Sequence, residues 1–175
     1  MEAILNASVQ FSINLNADKN GFTAFHIACE EGHTSIVRSF LKHSHKCDID
    51  INRRTDGDWT ALMIASWFGH EKIIKLLLES TSYENNIMAL DENGKTALML
   101  ACNEGQKDVV QLLIDHSEGN IELNAQEING ETAFIIACTE GQTDIVKLFL
   151  DHSGRNIDFN VRDKNGQTAF IIASE

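Results

Sequence analysis

The chain has 175 residues, 43% of them hydrophobic, and a formal net charge of −12. That size and apolar content suit one soluble domain with a buried core. The acidic balance disfavours nucleic acid and anionic membrane surfaces and favours basic protein surfaces as partners.

Residues 1–17 read as the tail of an earlier unit, because ILNASVQFSINLNADKNG (Ile4 to Gly21) parallels FLDHSGRNIDFNVRDKNG (Phe149 to Gly166); residues 3–5 then correspond to the end of a helix. A first unit, 18–54, opens on Asn20-Gly21, a dipeptide that supports the positive φ angles of a tight hairpin turn. Thr23 follows as an N-cap, then a short apolar helix that Gly32 breaks, then a second helix. The second unit, 55–90, repeats the order around Thr60 and Gly69, but its turn is Asp56-Gly57-Asp58, with the glycine one place early. The third, 91–126, has Asn93-Gly94, Thr96 and Gly105. The fourth, 127–162, has Asn129-Gly130, Thr132 and Gly141, and beyond the glycine Ile145, Val146, Leu148, Phe149 and Leu150 fill one broad helical face. An extended link, Ile157 to Asn160, leads to a truncated fifth unit, 163–175, which stops after one short helix. The recurring threonines are 37, 36, 36 and 36 residues apart. Neither helix of a unit buries its face alone, so the pattern predicts an all-α repeat solenoid of stacked helix-turn-helix units with β-hairpin tips, a fragment of a longer array.

DKNGFTAFHIACEEGH (Asp18 to His33) resembles the ankyrin repeat, whose pattern runs D-x-x-G-x-T-P-L-H-x-A-x-x-x-G-H, and the resemblance recurs in five registers over nearly the whole chain. Alanine replaces the family's proline throughout, and the histidine of the first helix survives only as His26. Phe25, Phe134 and Phe170 take the family's leucine position and are expected in the core, with Phe40 and Phe149 on the buried face of the second helix. The resemblance implies a protein-binding module acting as adaptor, scaffold or inhibitor. It also implies tip-region asparagines open to hydroxylation, at Asn52, Asn124 and Asn160.

Little in the chain suggests catalysis. Cys29, Cys102 and Cys138 share one place in the repeat, which reads as apolar packing in a reducing, cytoplasmic or nuclear setting. The longest apolar run, Ala61 to Phe68, spans eight residues, against roughly 18 for a membrane span, and MEAILNASVQ has no secretory pattern. His43, His116 and His152 recur once per unit after the second helix, about 10 Å apart in a stack of packed helices, too far to share one zinc. They read instead as cations at helix C-termini. No catalytic, metal or cofactor site is expected.

Recognition remains. In such a stack the tips and the exposed side of the first helices form one concave face. Candidate contact residues there are Phe22, Trp59, Lys95 and Glu131 at the tips. Before each helix-breaking glycine they are Glu30-Glu31, Trp67-Phe68, Asn103-Glu104 and Thr139-Glu140. Both tryptophans fall in the second unit, either as a binding hot spot or packed on one another beside the displaced glycine. The expected partner is a protein with a basic or aromatic-accepting surface. The alternative reading is a regulatory ankyrin segment of a larger enzyme or channel, docking intramolecularly; self-association through the fifth unit is also open.

Overall fold

The computed structural model describes residues 15–16, 18–80, 87–116 and 122–174. Five times a threonine with φ between −95° and −89° starts a helix, its hydroxyl accepting the N–H of the third helical residue at 3.2–3.5 Å. The extended backbone and oxygen of the N-cap satisfy a donor that the first turn leaves free. The helices so started are α1 (Ala24–Glu30), α3 (Ala61–Trp67), α5 (Ala97–Asn103), α7 (Ala133–Thr139) and α9 (Ala169–Ile172). The second helices of the units are α2 (Thr34–Cys47), α4 (Glu71–Leu78), α6 (Lys107–His116) and α8 (Thr143–Asp151). First helices pack on first helices and second on second along the stack, giving two rows with the core between them. Phe25 meets Phe40 edge-on at 5.8 Å and Phe134 meets Phe149 at 5.7 Å, each joining the rows within a unit.

A left-handed glycine closes each of the first four first helices, and the next residue's N–H returns to the carbonyl five places back at 2.8–2.9 Å. That next residue also ties the units together. His70 donates from Nε2 to the Glu30 carbonyl at 2.7 Å, and Gln106 from Nε2 to the Trp67 carbonyl at 3.1 Å. His70 at this place is thus structural. His43 and His152 are half-buried, each donating from Nδ1 to the carbonyl four residues back at 2.8 Å. His152 caps the C-terminus of α8 more closely than an exposed cation would, whereas His43 does not follow its helix as expected, because α2 continues beyond it to Cys47.

Three expectations need correcting. Phe170 is not core: it is 82% exposed, because among the described residues no second helix follows α9 to cover it. Among the described residues, paired positive φ angles occur only at Asn20-Gly21, between strands β1 (Asp18–Lys19) and β2 (Phe22–Thr23). At the third, fourth and fifth tips the glycine alone is left-handed, since Asp91, Glu127 and Asp163 direct an ordinary turn by accepting two backbone N–H groups each. Cys138, unlike Cys29 and Cys102, is half-buried, because the bare side of the fourth unit lies beside it. Burial pushes the Cys29 thiol up to about 12 and those of Cys102 and Cys138 upward too, so none is an activated nucleophile. The expected helix tail at residues 3–5 lies outside the described residues.

Two caps and columns make predictions. His26 accepts the Thr23 N–H on Nδ1 at 3.2 Å and so donates from Nε2 to the Arg53 carbonyl at 2.9 Å. Burial, the largest influence, lowers its pKa, the Arg53 charge adding to this while the Arg53 carbonyl and Asp50 oppose it. The unfolded chain therefore binds this proton more readily than the folded one. Stability contributed by neutral His26 is complete above about pH 6.5, the unfolded value, and falls as pH drops below it toward the folded value. Met63 and Met99 fill the same place with a sulfur 3.5 Å from the cap N–H. Melting curves between pH 7 and 5.5 should show a loss in the native chain that His26→Met removes.

Ser66 stands in the cysteine column. It is fully buried, and its hydroxyl alone among the described buried side-chain polar atoms lacks a partner. Leaving such a group unpaired costs about 1–3 kcal/mol. Ser66→Cys is expected to stabilise by about 1 kcal/mol, raising the melting temperature by about 2–4 °C in calorimetry.

Candidate functional site

The tips are stacked by backbone bonds that run from unit to unit. Asp56 N–H donates to Asn20 C=O, Glu92 N–H to Gly57 C=O, Ile128 N–H to Asn93 C=O and Lys164 N–H to Asn129 C=O, at 2.8–3.2 Å. The links behind the tips are joined as well: Asn124 donates to the Asn156 carbonyl and accepts from Asp158 N–H. The side chains at the tips therefore stand in a fixed row beside the ends of the first helices.

In that second row one position repeats along the stack. Glu31, Phe68, Glu104 and Glu140 are the C-cap residues of α1, α3, α5 and α7. A carboxylate at a helix C-terminus opposes the helix dipole at a cost of some 0.3–1 kcal/mol, and these helices have no basic residue in their last turns to offset it. Helix stability does not explain three glutamates there. Phe68 interrupts the acidic row with a ring 45% exposed, stacked on the His70 imidazole at 6.3 Å and 14°. His70 is itself tied to Glu30, so the exposed ring rests on a fixed support.

Trp59 and Trp67 lie 5.5 Å apart at 58°, both half-buried. The tryptophans thus pack on one another, the second of the two arrangements expected for this unit, while Phe68 is exposed. Phe22 is half-buried edge-on against His26 at 5.8 Å. Lys95 Nζ donates to Asn103 Oδ1 at 3.3 Å, and Asn103 Nδ2 to Glu104 Oε1 at 3.2 Å, linking the third tip to the end of its helix. Glu30 is half-buried, whereas Glu31, Glu104, Thr139 and Glu140 are exposed.

Glu131 departs from a plain solvated acid. Burial first, and the Glu127 charge second, raise its pKa; the Thr139 hydroxyl, 3.4 Å from Oε1, and Lys95 pull the other way. Thr139 also lies 3.1 Å from the Ile135 carbonyl, so its single proton serves one acceptor at a time. Sequence reasoning missed the structural acids Asp91, Glu127 and Asp163, although the D-x-x-G spacing at the tips signals them. Glu92 is legible in the sequence as a tip residue, but its place beside Gly57 and Trp59 depends on contact between units. Among the described residues no three His, Cys, Asp or Glu side chains gather as a metal site, and no helix is long and apolar enough to cross a membrane.

Comparison with known proteins agrees with this architecture. The family model described as ankyrin repeats (3 copies) matches residues 1–89, 83–127 and 117–175. The human photoreceptor ankyrin repeat protein is 36% identical over 78 residues, 45% of this chain and 17% of that protein. The human ankyrin repeat and SAM domain-containing protein 3 is 36% identical over 55 residues, 31% of this chain and 8% of that protein. The chain thus matches less than a fifth of the length of either relative.

Proposed function

Because the chain belongs to the ankyrin-repeat family, whose members generally serve protein–protein interaction, we propose that it binds another protein through its tips and first helices and catalyses no reaction of its own. The observation that carries this reading is the C-cap row: an exposed aromatic ring on a fixed support, set among glutamates that their helices do not need. Phe68 and the Trp59–Trp67 pair supply the anchor, and Glu30, Glu31, Glu104, Glu131 and Glu140 steer a basic partner toward it. Phe22, Lys95, Asn103 and Thr139 frame the same face. Its setting is cytoplasmic or nuclear, a reading supported by Cys29 and Cys102, buried as thiols at one packing place of the repeat.

The reading is tested by affinity capture from a cell extract with the native chain and with a Trp59→Ala/Trp67→Ala/Phe68→Ala variant of confirmed helicity. Loss of a protein from the variant alone supports it; identical sets overturn it. The second reading, a regulatory segment docking within a larger enzyme or channel, draws on the apolar groove of Phe134, Cys138, Val146, Leu150, Phe159 and Phe170. It predicts that capture survives the triple variant and fails with Leu150→Asp.

A further inference from the structure

The second tip differs from the others at one point of backbone geometry. Asp58 takes the left-handed conformation at φ +62°, where Gly21, Gly94, Gly130 and Gly166 stand at +74° to +81°. At the preceding place the other tips carry asparagine and this one carries Gly57. The turn itself is unchanged: Asp58 N–H donates to the Thr55 carbonyl at 2.9 Å as Gly94 N–H does to Asp91. The exchange puts a strained aspartate where glycine fits best and removes a side chain one place earlier.

What it creates at position 57 is space with two distinct walls. A Cβ on Gly57 would already touch Trp59 Cδ1 at 3.6 Å and Glu92 Oε1 at 3.7 Å, so a side chain there would cover both groups, which glycine leaves bare. The Trp59 indole is backed by Trp67, and the Glu92 backbone is held by its N–H on the Gly57 carbonyl. Glu92 forms no ion pair among the described residues. Asp56 and Asp58 stand exposed on the same tip, Asp58 3.8 Å from Arg54.

We propose that this notch seats the guanidinium of an arginine carried by the partner protein, an inference that rests on the concave-face reading above. An apolar side chain would cover Glu92 and leave its charge unpaired. An anion meets three carboxylates. A guanidinium lies flat against an indole and donates through a fork to a carboxylate, which a lysine ammonium does less well.

The test uses the chain's two indole N–H signals. Isotope-labelled protein is titrated with acetyl-Gly-Arg-Gly-amide and with the same peptide carrying citrulline, which keeps the shape and drops the charge. A saturable shift of the Trp59 signal is expected with the arginine peptide, about five-fold weaker with citrulline and in Glu92→Gln. It should vanish in Gly57→Asn, which restores the residue type of the other tips and whose melting curve reports its fold. Equal response to both peptides, indifference to either substitution, or no shift overturns the seat. A shift confined to Trp67 that survives Gly57→Asn also overturns it, while leaving the concave-face reading standing.

Discussion

Phe68→Ala should leave the melting temperature of the chain within about 1 °C of the native value and weaken its captured partner by about 10–100-fold. The two halves of this expectation come from different observations. The ring is 45% exposed and its packing contact is a stack on His70, so little apolar burial is lost on truncation. Aromatic anchors, in contrast, carry a disproportionate share of interface energy, about 1.4–2.8 kcal/mol for a change of this size. Calorimetric titration of the partner and thermal denaturation of the free chain, run on the same preparations, separate the two. A fall in melting temperature matching the affinity loss would mean that the ring is packing.

Gly69→Ala is expected to destabilise by about 2–4 kcal/mol, and Gly141→Ala by about half as much. Both glycines are left-handed, at φ +76° and +66°, so both substitutions incur the strain of an L-residue there. Only at Gly69 would the new Cβ run into the Gln106 side chain, which donates to the Trp67 carbonyl. Around Gly141 nothing lies within 4 Å. The difference between the two, read from paired thermal melts, isolates the contact between units from the backbone strain. Gly69→Ala also disturbs the bond that positions Trp67, so partner binding should fall with it. Equal losses at the two sites would show that the units are not coupled through this side chain.

Much of the architecture was legible because repetition multiplies weak signals. One threonine before an apolar run is a modest N-cap indication; five in register predict helices at Ala24, Ala61, Ala97, Ala133 and Ala169, where they begin. The same repetition misled at Phe170, which takes the family's core position but, among the described residues, has no second helix following it as cover. It misled again at the tips, where Asn-Gly reads alike in four units yet only the first pairs two positive φ angles. An acid stands two places before the asparagine in all four, but Asp91, Glu127 and Asp163 accept the N–H groups two and four places on, whereas Asp18 accepts that of Gly21, a difference in bonding that the dipeptide does not reveal.

The candidate face was legible in outline and not in depth. Composition singles out Trp59, Trp67 and Phe68, but only packing shows that the tryptophans cover one another and leave Phe68 outward. The glutamates are visible in the sequence; their position at helix C-caps, where the dipole opposes them, is a property of the fold. Glu92 and Gly57 meet across two units, 35 residues apart in the chain, and no local pattern joins them.

The central claim is that a protein partner lies over Phe68, on the tip-and-first-helix face. A photoreactive benzoylphenylalanine at position 68 tests it most directly, with the same residue at Lys75, on the exposed side of α4, as the control. The account predicts a covalent adduct to one partner from position 68 and none from position 75. An adduct from position 75 alone, or equal adducts from both, would contradict it.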